Sequence, residues 1–282
     1  MSGLIPWKSA LDLDRPVPLT GAMRRAAVLL LLLPFAACGG GGGGGTSPSV
    51  SAALIDGVSG ATIAGAAVSA RHGDSVTVER AGYIRRDTIV PRDNVISLWP
   101  STVDESYVRT LVYSEAALRN RLIRWTSPTI AVPRDLPSDV ADLVRPWVTL
   151  VPSDTPAVTI VVDPADPAFA PYPPDVIGVT LSQIADSDAH FISSRIVFKS
   201  EADVRRPGAL AHEFGHALGL GHSPRVQDLM FPSTARTTTV FSADERVLLT
   251  MMYTHRRPGQ VAPDNDQALG PGASGIVRVI AQ

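Results

Sequence analysis

The sequence predicts an α+β fold preceded by a small all-β region, and three observations lead there. From Val50 to Ser101 the apolar residues fall in short runs divided by Gly, Asp and Pro, with no helical period. Beyond that, strand-like runs such as Val158-Thr159-Ile160-Val161-Val162 mix with helical stretches. Finally, Pro207-Gly208-Ala209-Leu210-Ala211 suits the first turn of a helix that runs into a cluster of histidines.

Composition sets the bounds. The 282 residues are 45% hydrophobic and carry a net charge of −2, enough for one large or two modest domains with a real core. No basic run suggests nucleic acid, which we exclude as a partner. The 24 prolines and 23 glycines imply many loops and argue against a long helical bundle.

At the amino terminus, Arg24-Arg25 precede an apolar run from Ala26 to Ala37, interrupted by Pro34. That run is too short to span a bilayer. A basic start, a short apolar core and small residues describe a secretory signal. Phe35-Ala36-Ala37-Cys38 resembles a bacterial lipobox, with Phe35 in place of the usual leucine. The resemblance implies that residues 1–38 hold a lipoprotein signal, that Cys38 is lipidated, and that the mature protein is membrane-attached in the bacterial cell envelope. Residues 1–22 do not look like a signal, so Met23 is an alternative start. Gly39 to Gly45 and the Thr46-Ser47-Pro48-Ser49 that follows read as a flexible tether over 39–49. Glycine rather than aspartate after Cys38 fits export to an outer membrane. With the only cysteine lipidated, no disulfide can form within the chain.

Residues 50–104 read as short strands: Val50 to Ile55, Ala66 to Ala70, Ser75 to Val78, Thr88 to Pro91 and Val95 to Trp99, with a turn at Asp56-Gly57. The pattern Asp56-Gly57-Val58-Ser59-Gly60, Ile63, Gly65-Ala66, Val68, then Ala81-Gly82-Tyr83 resembles small transthyretin-like or carboxypeptidase-regulatory-like β-sandwiches. The resemblance implies a spacer or binding domain rather than a catalytic one. His72-Gly73-Asp74 reads as a loop.

In the next region, 105–257, Ala116 to Trp125 predicts a helix leading into a strand at Thr129 to Val132. A second helix is expected from Ser138 to about Thr149, kinked or ended by Pro146. Strands are expected at Val158 to Val162, Ile177 to Leu181 and Arg195 to Phe198.

The histidine cluster reads His212-Glu213-Phe214-Gly215-His216-Ala217-Leu218-Gly219-Leu220-Gly221-His222, or H-E-x-x-H-x-x-G-x-x-H, and holds half of the six histidines. In a helix, His212 and His216 lie about one turn apart and leave the same face. Two nitrogens at that spacing can share one zinc ion. Gly219 falls where the helix should stop and can take a left-handed backbone, turning the chain so that His222 returns as a third ligand. Three protein ligands leave a fourth position open, the mark of a catalytic rather than a structural zinc. Glu213 can reach a water at the metal without being a ligand. With this composition, the pattern should arise by chance on the order of a few times in a million such chains.

The extended motif, followed by Ser223-Pro224-Arg225-Val226-Gln227-Asp228-Leu229-Met230-Phe231-Pro232-Ser233, resembles the metzincin metallopeptidases, and among them the matrixins. Met230 matches the methionine of their Met-turn, with Phe231 where tyrosine is commoner. Pro232 stands where astacins and serralysins carry a metal-binding tyrosine, so those branches fit less well. The resemblance covers roughly residues 120–256. It implies a twisted sheet, an active-site helix and a C-terminal helix. It also implies an edge strand that pairs with extended peptide substrate, expected between about Ala185 and Ser194, and a pocket wall from about Phe231 to Thr238. Structural calcium is another implication, for which Asp163, Asp166, Asp175, Asp186 and Asp188 are available, although turns and caps explain Asp equally well. A second zinc is not expected, because only His190 lies nearby.

After Met230, Phe241-Ser242-Ala243-Asp244-Glu245 contains a capping box. The helix it opens should place Val247, Leu248, Met251 and Met252 on a buried face and end at Tyr253. Residues 258–282 are polar and rich in Pro and Gly, except Gly275 to Ile280, which reads as a strand returning to the small domain or a frayed tail. The expected function is a zinc-dependent endopeptidase acting on protein or peptide, with His212, His216 and His222 as ligands and Glu213 as general base. The competing expectation is a zinc-containing surface lipoprotein that only binds.

Overall fold

A computed structural model describes residues 48–114, 121–185, 188–233, 236, 238–256, 258–259 and 277–281. Thr46–Gln282 cluster into one compact unit. Residues 1–47, with the expected signal, Cys38 and the glycine run, lie outside the described residues. Among the described residues no helix is long and apolar enough to cross a membrane.

The first five elements are all strands: β1 (Val50–Asp56), β2 (Thr62–Ala70), β3 (Ser75–Val78), β4 (Arg86–Ile89) and β5 (Val95–Leu98). β1 pairs antiparallel with β2 and parallel with β5, and β3 pairs with β4 as a separate hairpin. The Asp56 carboxylate makes the expected turn by accepting from the amides of Val58 and Ser59 at 3.0 and 2.7 Å. Alternation sends Ala52, Leu54, Ile96 and Leu98 into an apolar cluster with Ile63, Val78 and Val90.

The larger core lies beyond. α1 (Glu105–Val112) buries Tyr107, Val108, Leu111 and Val112, in a stretch where sequence reading placed no element. The helix expected over 116–125 falls partly outside the described residues, and Arg121–Leu122 is instead a strand, β7, paired with β6 (Tyr113–Ser114). β8 (Thr129–Val132) pairs in parallel with β9 (Thr149–Pro152). Between them α2 (Ser138–Val144) is shorter than expected. Pro146 offers no amide and disfavours helix in the residue before it, which frees the chain to extend into β9.

The central sheet has the order β10 (Val158–Val162), β12 (Phe191–Phe198), β11 (Gly178–Ala185), β13 (Val277–Ala281). β10 and β12 are parallel, whereas β11 runs antiparallel to both β12 and β13. Two expectations change here. The substrate edge expected at about 185–194 runs into β12, which is an inner strand paired with β10 on one side and β11 on the other. The last strand joins this sheet, not the small amino-terminal one. Its pairing is a contact across most of the domain, which local pattern cannot specify.

α3 (Glu201–Val204), capped by Ser200, leads to α4 (Ala209–Ala217), every residue of which is buried. Nine residues are too few for a stable isolated helix. Phe214, packed in one cluster with Ile184, Ile196 and Phe198 from β11 and β12, secures it to the sheet. α5 (Ala243–Thr250) starts with the expected capping box of Ser242 and Glu245 and continues into a wider turn at Met251–His255. Leu248, Met251 and Met252 are buried as expected. Val247 is exposed and Leu249 takes its place in the core.

Candidate metal centre

The end of α4 sets the site. Gly219 has φ +100°, and its amide bonds the carbonyl of His216 at 2.9 Å while that of Leu220 bonds Gly215 at 3.0 Å. These are the two bonds of a Schellman stop. A Cβ at Gly219 would overlap the carbonyl oxygen of Ile123, so both backbone conformation and space require glycine. The remaining helix-end carbonyls also find donors. Trp125 Nε1 bonds Ala217 at 2.7 Å, and the Tyr253 hydroxyl bonds Leu218 at 2.9 Å.

The reversal returns His222 to the helix face that carries His212 and His216. The Nε2 of His216 is 3.2 Å from that of His212 and 3.2 Å from that of His222. On the far side of the rings, Nδ1 of His212 donates to Leu229 O at 2.7 Å, and Nδ1 of His216 donates to Leu220 O at 2.8 Å. A proton held on Nδ1 leaves Nε2 as a bare lone pair. Neutral acceptors cannot satisfy one another at this distance, whereas a cation among them can. Tetrahedral zinc with bonds of about 2.0–2.1 Å holds its nitrogens about 3.3–3.4 Å apart, close to what is found. Burial pushes His212 down to about 3, with the charge of Arg236 adding to the effect. It pushes His216 well below the ordinary histidine value, helped by the neighbouring rings. His222 reaches solvent, yet the protein around it and Arg236 lower it to about 4. All three are thereby favoured in the neutral form that binds metal. Among the described residues this is the one group of three potential ligands.

Glu213 is buried beside the triad, 6% exposed. The Thr180 hydroxyl donates to its Oε2 at 2.7 Å, and β11 presses so closely that a Cβ on Gly178 would lie 2.8 Å from Oε1. Burial raises its carboxyl to about 7, against the opposing hydrogen bond from Thr180 and the charge of Arg236. The carboxylate is thus held against β11 by Thr180 and Gly178 and is not part of the three-histidine group.

Met230 is fully buried under α4, against Gly215, where any Cβ would collide with its sulfur. The loop that delivers it is held by groups far away in sequence. Glu245, wholly buried, accepts from the amides of Met230 at 2.7 Å, Leu229 at 3.1 Å and Ser242 at 2.7 Å. Asp228 accepts from the Tyr107 hydroxyl at 2.6 Å and the Ser223 hydroxyl at 2.5 Å. Glu245 thus positions Leu229, and Leu229 orients His212. Sequence reading found Glu245 only as a helix cap. Thr180 and Tyr107 have no spacing that ties them to the motif, and Asp228, although it lies in the stretch around Met230, has no role that the sequence shows.

This arrangement predicts a mutational outcome. Glu245→Ala leaves two buried amides of the loop without an acceptor, at about 1–3 kcal/mol each. Urea unfolding should show a loss of roughly 2–6 kcal/mol. Zinc affinity, read by chelator competition, should fall about 10–100-fold through the loosened His212. Unchanged stability would mean that Glu245 does not hold the loop.

Of the candidate calcium residues, Asp163 accepts from the Ala165 amide, Asp166 accepts from Ala168 and pairs with Arg195, and Asp188 pairs with His190. Asp186 lies outside the described residues. The described aspartates do not converge on one point.

A sequence profile of the family described as Matrixin matches residues 173–254, which span β11, β12, α4, the Met230 loop and α5. No curated protein matches the chain. The match and the three-histidine group fit a metzincin-like domain, and at family level they support a zinc metallopeptidase.

Proposed function

We propose that this chain is a zinc-dependent endopeptidase, exported and held to a bacterial membrane through lipid on Cys38. One observation carries the catalytic reading: three Nε2 atoms converge, and Glu213, the residue next to His212, is a buried carboxylate that is not among them. His212, His216 and His222 would hold the zinc. Bound there, it would supply Lewis-acid polarisation of the scissile carbonyl and a lower pKa for the attacking water. Glu213 would take the proton from that water and pass it to the leaving amine. Thr180 keeps one carboxylate oxygen occupied and leaves the other for this task. A binding-only lipoprotein would have no use for a carboxylate buried at this point, since burying one is costly.

The test uses the chain from Thr46 onward. It should bind about one zinc by elemental analysis and cleave an unfolded protein at neutral pH. Zinc binding with no cleavage of that substrate or of a broad peptide library would leave the binding-only reading.

The amino-terminal strands would serve as a spacer or docking domain, and Cys38 as the anchor. Cys38→Ser should release the protein from the membrane fraction or leave its signal uncleaved. Fractionation and intact mass check this. An unaltered partition, with no lipid mass on the wild type, would reduce the protein to a plain secreted enzyme.

A further inference from the structure

β11 is the wall of the candidate site. Thr180 bonds Glu213, Gly178 packs on it, and the outer edge of the strand continues from Leu181 to Ala185. An extended peptide brought to the triad would find its backbone partners on this edge, adding itself as a strand. The edge is taken. β13 lies antiparallel along it, with Ala281 opposite Leu181, Gln183 opposite Val279 and Val277 opposite Ala185. It advances towards Thr180 and therefore towards Glu213. Each outward amide and carbonyl of β11 can serve one partner strand at a time. The sheet order β10-β12-β11-β13 leaves β11 no second free edge, because β12 fills the other side.

We infer that β13 is a built-in competitor of substrate, a segment of the chain occupying the track that peptide must use, so that the full chain is partly latent. The inference rests on the peptidase reading. It differs from it in naming Val277–Ala281 as the regulator. Occupancy lowers the fraction of molecules open to peptide, and apparent affinity falls by that fraction. A competent fraction of about one in ten raises KM about tenfold and leaves kcat unaltered.

Proline in β13 tests this, since it has no amide to donate and disfavours paired strand. Successive residues of a strand alternate, so one of two neighbours must face β11. Arg278→Pro and Val279→Pro are therefore made separately in the full chain from Thr46. Three readouts apply: hydrogen exchange of the Leu181–Ala185 amides, KM and kcat on an unfolded protein, and fluorescence anisotropy of a labelled peptide of sequence 275–282 with each proline combined with Glu213→Ala. At least one proline variant should expose those amides, lower KM about tenfold with kcat within about twofold, and tighten the labelled peptide about tenfold. Exposed amides with unchanged KM and unchanged peptide affinity would overturn the inference while the enzyme stands. So would β11 amides that exchange freely in the wild type. If no version cleaves anything, the peptidase reading falls by itself. Peptide affinity then judges the strand, and an unchanged value removes β13 as a competitor.

Discussion

Glu213→Ala should keep about one zinc per chain and a near-native fold, yet lose activity by about 10²–10⁴-fold or more. The zinc should stay because the three converging Nε2 atoms belong to His212, His216 and His222. The fold should stay because Thr180 retains the Glu213 main-chain oxygen as an acceptor at 3.2 Å. Removing a buried ionisable group whose desolvation is unfavourable need not destabilise the protein either. What disappears, on the proposed mechanism, is the carboxylate that moves the proton. Elemental analysis, thermal unfolding and steady-state cleavage of an unfolded protein measure the three parts. A variant as active as wild type would overturn the mechanism even if the enzyme class survived.

His216→Ala should behave differently, with zinc and activity falling together. His216 is 1% exposed, and its Nε2 is 3.2 Å from the Nε2 of His212 and 3.2 Å from that of His222. Its removal leaves two ligands, a site that cannot close around zinc. It also strips the Leu220 carbonyl of the Nδ1–H that supports the helix stop. Zinc affinity should fall by more than the roughly 10–100-fold expected for losing a residue that only supports a ligand. Stability should drop by about 1–3 kcal/mol from the orphaned carbonyl. Chelator competition and urea unfolding are the measurements. Zinc held at wild-type affinity would show that His216 is no ligand and that the triad is misassigned. The contrast between the two variants separates proton transfer from metal holding, which single loss-of-activity results cannot do.

The elements that local chemistry controls were readable in advance. A helix repeat of 3.6 puts His212 and His216 on one face whatever surrounds them. Gly219 stops the helix because only glycine takes its φ without strain. Ser242 and Glu245 close a capping box because they are three residues apart. Asp56-Gly57 turns for a similarly local reason. So the histidine triad and the chemistry it invites were a property of the sequence itself.

The rest depended on contacts between distant parts of the chain. Glu245 does two things at once, capping its own helix and holding Leu229 and Met230, and only the first has a sequence spacing. Tyr107 meets Asp228 across 121 positions. Thr180 meets Glu213 from a neighbouring strand, and no periodicity links them. The helix expected through Pro146 gave way to β9, where pairing with β8 supplied the backbone partners that a prolonged helix would have lacked. Strand pairing is the least local of these contacts. Val277–Ala281 has the residue types of a strand and nothing that names its partner. It covers the outer edge of β11, whose other side β12 fills, and no local pattern distinguishes that edge from the outer edge of β10. The sequence by itself determined a site able to hold zinc beside a carboxylate, since spacing along one helix and one turn suffices for that. Only the tertiary structure decided what orients those groups and which strand covers the outer edge of β11, because hydrogen bonds between distant segments exist only once the chain has closed on itself.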